Sequence, residues 1–310
     1  MMMRGWIWLM LVMLVACGRD LEEGRGSKNG QSGPLTVVAV NYPLQYFAER
    51  IGGDFVKVTM PAPTGEDPAD WRPAGKAARE FVQQTQKADL ILMNGAGYAK
   101  WIKYGSWRES QLVNTSRTFR SSLIELEKAH RVVHRHGKGG REHSHGEISY
   151  TVWLDPGLAV RQAEAIRDAL TRKRPDRASM FEKHFEALKT DLEILGADLP
   201  ESATPLLASH PVYQYLQRRF ALNLQSVHWE SGIVPSEKEW AALEERLQEH
   251  RASAMLWESE PARETEERLR ALGVVPVVFV PCGDAPAEGD YLGVMRSNFD
   301  RLKKVLEAEQ

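Results

Sequence analysis

The sequence predicts an α/β protein with two lobes, each with a mostly parallel sheet flanked by helices. Short runs of β-branched and aliphatic residues alternate with segments of helical periodicity, which is typical of βαβ units around a parallel sheet. A long stretch of helical pattern interrupts this alternation between residues 156 and 195. Residues 35–310 are also long enough for two domains of ordinary size. We therefore expect two lobes joined by a long rigid helix, with a cleft between them.

The first 34 residues are predicted to lie outside the lobes. Arg4 precedes an apolar run at residues 6–16, which is shorter than the roughly 20 apolar residues of a membrane span and predicts a signal peptide over residues 1–16. The run ends in LVACG, which resembles the lipobox of bacterial lipoproteins and implies cleavage before Cys17 and lipidation of its thiol. An ordinary secretory signal with a chance cysteine is the alternative. Residues 17–34 then read as the lipidated cysteine and a flexible Gly/Ser-rich tether.

The first lobe is predicted over residues 35–174. Three strands and two crossover helices are expected in it, at residues 35–40 (strand), 44–51 (helix), 55–60 (strand), 75–87 (helix) and 89–93 (strand). A His-rich loop at residues 130–145 follows the segment Ser122–Leu126, and the chain resumes at Tyr150 to Leu154. The loop therefore interrupts this lobe.

A linking helix at residues 175–198 and a second lobe at residues 199–310 are predicted next. A helix from Pro156 through Leu170 pauses at Pro175, and from Asp176 to Leu195 the apolar residues fit one face of a helix that would act as a stiff strut. Alternation then returns, at residues 205–209 (strand), 212–220 (helix), 224–227 (strand), 253–257 (strand), 262–272 (helix), 274–280 (strand) and 291–306 (helix).

Five of the nine histidines fall in the His-rich loop, and they are His130, His134, His136, His143 and His145. Neutral imidazoles are good ligands for borderline metals such as Zn²⁺ near neutral pH. The cluster indicates metal handling, although a pH-responsive solvated loop or an accident of composition would give the same pattern. The formal net charge of −2 gives no basic footprint for nucleic acid.

Possible ligands also follow the predicted strands. In open parallel sheets, ligands bind beyond the carboxyl ends of the strands. The residues at those positions are Asn41-Tyr42, 61–70, Asn94-Gly95, His210, His228, Glu258 and 282–284. Strand ends from both lobes would line a shared cleft, and this arrangement is typical of a binding protein.

Several segments, in this order, carry a resemblance to a known family: VVAVNYPLQYFAERIGGD, GEDPADWRP, KADLILMNGAGYAKWI, the His-rich loop before YTVWLDP, LLASHPVYQYLQRRFAL and YLGVMRSNFDRLKKVL. The chain resembles the metal-specific solute-binding lipoproteins of bacterial ABC importers over nearly its whole mature length. The resemblance implies capture of a transition-metal ion, Zn²⁺ first and Mn²⁺ second, and delivery to an ABC permease without catalysis. It also implies an exported, lipid-anchored monomer that faces the periplasm or the cell exterior.

The chain departs from this family at two usual histidine positions. Ala69 stands after Asp-Pro, and Thr151 stands in the run TVWLDP, where family members usually have a ligand histidine. The third family histidine is kept as His210 after Ser209. The fourth ligand is often an Asp in the last βα turn, where this chain has Asp284 shortly after Cys282.

The candidate metal site therefore combines His210, Glu258 and His228, with His143 or His145 folding in beside the position of Thr151, because Zn²⁺ prefers four tetrahedral ligands. Further candidates are Asp70, Cys282 and Asp284, while His130, His134 and His136 would serve as accessory metal scavengers.

Each candidate also has a structural alternative. His210 can begin a helix, His228 can pack as an aromatic ring, and Glu258 can orient a ligand histidine from behind. Asp70 can cap a turn beside Pro68. Cys282, the lone thiol once Cys17 carries lipid, can be a buried apolar side chain. Trp71, Trp153 and Trp257 are expected to wall the cleft or fill cores.

The sequence also allows two other functions. A protein of the same fold with a changed cargo would explain the missing histidines at Ala69 and Thr151. A secreted metalloenzyme would use His and Glu around a zinc ion with an open water position. The sequence has no His-Glu-x-x-His pair, Gly-x-Ser-x-Gly elbow or Gly-rich phosphate loop that would support an enzyme.

Overall fold

The structure of the protein is a computed structural model that describes residues 33–126, 133–134, 143–144 and 148–308. The predicted signal peptide, the lipidation site Cys17 and three histidines of the loop (His130, His136 and His145) lie outside the described residues. Residues 34–310 form one compact unit.

The first lobe contains a parallel sheet of four strands in the order β2-β1-β3-β4. Its elements are β1 (Leu35–Ala39), α1 (Tyr42–Gly52), β2 (Val56–Thr59), α2 (Gly75–Thr85), β3 (Leu90–Met93) and β4 (Leu112–Asn114). The prediction of three strands was wrong by one, because β4 has three residues and is too short to show a pattern. Asn41 begins α1, since its Oδ1 accepts a hydrogen bond from the Leu44 amide at 3.2 Å.

The His-rich loop contributes a short antiparallel pair, β5 (Val133–His134) and β6 (His143–Ser144), which sets His134 opposite His143 along the backbone. The ends of the loop are also joined, because Glu125 and Ile148 form an antiparallel bridge. The loop therefore leaves the lobe and returns to it at nearly the same place.

Two helices follow the loop, α3 (Pro156–Lys173) and α4 (Ala178–Glu193), separated by a 3-10 turn at Pro175–Arg177. Asp155 caps α3, accepting hydrogen bonds from the next two free amides. α3 and α4 pack against each other and against α1. The buried face of α4 follows the predicted periodicity, with Phe181, Phe185, Leu188 and Leu192. This stretch, about 24 Å of helix in α4, is therefore packed on the first lobe along its length.

The second lobe repeats the architecture with a parallel sheet in the order β10-β9-β7-β8. Its elements are β7 (Pro205–Ala208), α5 (Gln214–Phe220), β8 (Asn223–Ser226), α6 (Glu237–Glu249), β9 (Ala254–Trp257), α7 (Arg263–Ala271), β10 (Val275–Val278) and α8 (Tyr291–Ala308). Two helix-flanked parallel sheets confirm the predicted two-lobe α/β fold.

A hydrophobic core runs through both lobes, and a smaller one lies on the far face of the second sheet. Successive side chains of β7 point to opposite faces, so Leu206 and Ala208 join the large core while Leu207 joins the smaller one. Three tryptophans fill that smaller core: Trp229, Trp240 and Trp257. Over the described part of the chain, no helix is long and apolar enough to cross a membrane.

Candidate metal centre

Three neighbouring strands of the second sheet bring the main candidates to one edge. His210 follows β7, His228 follows β8 and Glu258 follows β9. Because β7 lies between β9 and β8, His210 lies between the other two residues. The strand-end rule therefore selected residues that are neighbours in space.

Two of these three side chains are in direct contact, and the third lies beside them. His210 is 1% exposed, and its Nδ1 lies 3.1 Å from Oε1 of Glu258, whose side chain is 31% exposed. The ring of His228 stands perpendicular to that of His210, with centroids 6.1 Å apart. A carboxylate beside Nδ1 favours the tautomer with its proton there, which leaves the lone pair on Nε2 for a metal.

Backbone hydrogen bonds fix the position of His210. The Ser209 amide donates to the Leu256 carbonyl at 2.8 Å, and the Ser209 carbonyl accepts from the Trp229 amide at 2.7 Å. The chain then turns at once, since the Val212 amide donates to the His210 carbonyl at 2.9 Å. The segment before His210 is thus tied to the chain beyond both neighbouring strands.

The two positions that depart from the family pattern are buried. Ala69 has an amide that donates to Oδ1 of Asp67 at 2.9 Å. The Thr151 hydroxyl donates to the Val212 carbonyl at 2.6 Å, two residues from His210. Thr151 therefore lies beside the candidate site, but its hydroxyl holds the two lobes together.

The further candidates have other contacts. Asp70 forms an ion pair with Lys100. Asp284 accepts a hydrogen bond on Oδ2 from the Gly65 amide at 2.9 Å, which joins the second lobe to the first across the cleft. Burial raises the pKa of the Cys282 thiol to about 12, and the charge of Asp284 adds to the shift. The side chain of Cys282 is also almost completely buried, which favours the packing role.

Two tyrosines that lie between carboxylates of the two lobes were not among the predicted residues. The rings of Tyr98 and Tyr150 stand perpendicular with centroids 5.1 Å apart. Burial raises the pKa of both phenols well above the usual value, and the charge of Asp67 raises both further, as does Asp284 for Tyr98 and Glu258 for Tyr150. Carboxylates from both lobes therefore surround these rings, and the cleft is electrostatically suited to a cation. The residues predicted to follow the third strand end at Gly95, three residues before Tyr98.

The described residues do not form a complete set of metal ligands. Among them, no group of three or more His, Cys, Asp or Glu side chains is close enough to hold a metal ion. His145 and the side chain of His143 lie outside the described part of the chain. Their entry into the cleft stays a prediction.

A large cavity lies apart from His210, between α2 and the first sheet. It has a volume of about 1490 Å³ and is bordered by Val38, Trp71 and Phe81, with Asp67 and Asp70 in its wall. Of the eleven residues of α2, only Thr85 is buried. The helix thus covers this sheet face loosely.

Comparison with known proteins places the chain in one family. The family model described as "Zinc-uptake complex component A periplasmic" matches residues 37–305. Zinc-binding lipoprotein AdcA of Streptococcus pneumoniae is 25% identical over 97% of this chain, which spans 60% of that relative. High-affinity zinc uptake system protein ZnuA of Bacillus subtilis is 25% identical, with 95% of this chain and 94% of the relative covered. The Zn(II)-bound ZnuA-like domain of S. pneumoniae AdcA superposes with a TM-score of 0.71 at 22% identity, covering 89% of this chain and all of that domain.

Proposed function

The chain belongs to the family of periplasmic component A of zinc-uptake complexes, and we propose that it captures a zinc ion outside the cytoplasmic membrane and delivers it to an ABC permease. One observation of the site carries the proposal: buried His210 lies against Glu258 and beside His228, at the carboxyl edge of the second sheet. The cargo undergoes no chemistry, so the protein acts as a receptor.

The proposed capture depends on which ring nitrogen of His210 carries the proton. With the proton on Nδ1 facing Glu258, Nε2 coordinates the ion, and His228 supplies a second imidazole from the neighbouring strand end. The carboxylates around Tyr98 and Tyr150 raise the local cation concentration. Release then requires the permease to distort the cleft until these ligands separate.

The His-rich loop is proposed to complete the site and to collect metal. Its two ends meet at the Glu125–Ile148 bridge, close in sequence to Thr151, the position at which the resemblance implies a histidine. His143 or His145 would then replace the missing ligand. Deleting residues 131–145 separates the two roles: slower acquisition at low zinc with unchanged cleft affinity indicates a scavenging loop, and a collapse of cleft affinity indicates a ligand.

The proposed location follows from the N-terminus and the relatives. Relatives are named lipoproteins of metal ABC transporters, and Cys17 stands in a matching LVACG sequence. We propose an exported monomer anchored through lipid on Cys17, with residues 18–34 as tether. The lobes at 35–174 and 199–310, with the link at 175–198, would face the periplasm or the cell exterior.

Calorimetric titration of the metal-free protein with Zn²⁺ tests the proposal. His210→Ala should weaken binding by more than about 100-fold, because even the partners behind a ligand histidine are worth about 10- to 100-fold. His184→Ala is the matched control, since His184 contacts the Ile51 carbonyl at the far end of α1 from the cleft. Unchanged affinity in His210→Ala, with both variants folded, would remove His210 from the site.

A changed cargo is the second candidate, favoured by the replacement of two family histidines with Ala69 and Thr151. A chelated metal or a different ion would then occupy the cleft. Native mass spectrometry of the protein purified without chelators distinguishes the two cases, because bound zinc and a bound chelate differ in mass. Recovery of an organic chelate would replace the zinc proposal.

A further inference from the structure

Two arginines belong to the 3-10 segment Arg117–Ser122, two more bond to its carbonyls, and a fifth follows one of these along α5. We call the five the arginine face: Arg117, Arg120, Arg161, Arg218 and Arg219. Arg161 of α3 donates through Nη2 to the Thr118 carbonyl at 2.6 Å. Arg218 of α5 donates through Nη1 to the Ser122 carbonyl at 2.7 Å. Guanidinium groups from both lobes therefore converge on one short segment.

The charge of the arginine face is almost unopposed. Arg161 and Arg218 bond to neutral carbonyls, which position the guanidinium groups without neutralising them. Within the described ranges, Asp155 is the only carboxylate that approaches any of the five, with Oδ1 at 3.8 Å from Nε of Arg219. Among the described residues, four of the five guanidinium groups therefore have no carboxylate within ion-pair distance.

Aromatic rings contact three of these groups, and the Arg219 guanidinium lies 6.0 Å from the centre of the Phe220 ring. The Arg161 guanidinium lies 5.1 Å from the centre of the Phe119 ring, and that of Arg218 lies 5.2 Å from the Tyr215 ring. A stacked guanidinium loses less freedom when it binds, and its planar fork matches phosphate oxygens. The face is therefore built for oxyanions.

The sequence of the adjacent loop adds positive charge. Residues 127–147 contain five Lys or Arg against three Glu, besides the five histidines. The loop leaves after Leu126 and returns at Ile148, a few residues from the arginine face. Its net charge has the same sign as that face, and protonation of its histidines can only increase it.

We propose that the arginine face binds the phosphate headgroups of an anionic phospholipid membrane. A membrane is favoured over a protein partner because protein interfaces have an apolar centre. The large apolar side chains that are exposed in the described part of the chain belong to other elements than those that carry the five arginines: Tyr104, Ile194, Ile233, Val234, Leu272 and Val275. Headgroups attract basic residues by charge alone.

The position of the arginine face determines how contact with a membrane would orient the protein. Arg117 follows the carboxyl end of β4 by three residues, so the face lies toward the carboxyl edge of the first sheet, on the side of the proposed cleft. The tether joins the chain at the opposite end of the first sheet, just before β1. Binding of headgroups would turn the cleft edge toward the membrane. This orientation rests on the proposed function in one respect, that lipid on Cys17 keeps the chain beside the membrane.

Vesicle flotation of the mature chain with Cys17→Ser, which lacks the lipid, tests the proposal. The protein should float with vesicles of phosphatidylcholine and phosphatidylglycerol but not with pure phosphatidylcholine, and added salt should release it. The triple variant Arg120→Gln, Arg218→Gln and Arg219→Gln should bind about 100-fold more weakly, since each basic residue near an anionic surface is worth about fivefold.

The matched control removes the same charge from exposed positions elsewhere, with Arg79→Gln, Arg251→Gln and Lys304→Gln. It should keep vesicle binding. No binding by the parent chain, or equal losses in both triple variants, would overturn the proposal. So would a triple variant of the face that keeps vesicle binding and loses only stimulation of the permease. Zinc titration of the same variants should show unchanged affinity, which separates this proposal from that of zinc capture.

Discussion

Replacement of Glu258 by glutamine tests whether a carboxylate sets the tautomer of His210. Oε1 of Glu258 lies 3.1 Å from Nδ1 of His210, and the histidine is almost completely buried. Glutamine keeps the shape but removes the charge, and its amide can turn an NH₂ group toward Nδ1. The proton would then move to Nε2 in part of the molecules, and that form does not coordinate a metal.

The expected loss of zinc affinity follows from the usual contribution of a carboxylate that contacts a ligand histidine. Carboxylates behind a ligand histidine contribute about 10- to 100-fold to metal affinity, which is about 1.4 to 2.7 kcal/mol. At free zinc about 100 times the parent Kd, binding stabilises the parent by about 2.7 kcal/mol, and a Kd about 30-fold weaker leaves about 0.9 kcal/mol. At about 2 °C per kcal/mol for a chain of this size, the zinc-induced rise in Tm should fall from about 5 °C to about 2 °C.

Competition with a chromogenic zinc chelator measures the Kd, and thermal unfolding with and without zinc measures the shift in Tm. Glu260→Gln is the control, because Glu260 is exposed and lies two residues beyond Glu258. It removes the same charge from the same loop. A Glu258→Gln variant whose zinc Kd stays within twofold of the parent, while His210→Ala loses binding, would refute the tautomer argument.

Three further outcomes are expected. Thr151→Val should lower the free energy of unfolding by about 1 to 3 kcal/mol in urea, because it leaves the buried Val212 carbonyl without its hydrogen bond, whereas Thr118→Val at an exposed position should change little. Cys282 should react with a thiol reagent at pH 8 only after unfolding. Its folded pKa of about 12 exceeds the unfolded value near 8.5, so the folded state keeps a proton that the unfolded state loses, and stability should fall as pH rises through that window. Amides of α2 should exchange with deuterium sooner than those of α1, since α2 buries one residue and α1 buries seven; equal protection would contradict loose packing.

The parts of the fold that were predictable are those where burial imposes a pattern. Strands such as β3 and β9 are buried on both faces and appear as continuous apolar runs. Strand β4 has three residues and was missed. Helix α6 was also missed, although Ser236 and Glu239 form a capping box at its start. It buries only Trp240 and Leu243, so its apolar stripe is thin.

The proximity of the candidate residues was predictable where it depends on strand ends and not where it depends on loops. His210, His228 and Glu258 each follow a strand directly, and sheet order brings them together. Tyr98 and Tyr150 reach the cleft through irregular segments. Their positions depend on tertiary contacts such as the bond from Nδ2 of Asn94 to the Tyr150 carbonyl at 2.8 Å, which no local pattern encodes.

The preference for zinc over manganese depends on the donor atoms of the site, and so does the role of the His-rich loop. Imidazole nitrogen favours zinc over manganese, whereas carboxylate and water oxygen suit manganese. The resemblance implies a histidine at two positions where this chain has Ala69 and Thr151, so the proposed site has two fewer imidazole nitrogens. Asp67, Asp284 and Glu258 supply carboxylate oxygens around Tyr98 and Tyr150. A cleft without help from the loop would keep a reduced preference for zinc, since any nitrogen and oxygen site still binds zinc more tightly than manganese. An imidazole from the loop at the position of Thr151 would restore that margin, so the zinc-to-manganese ratio of the parent and of the loop deletion reports directly on whether a loop histidine enters the cleft.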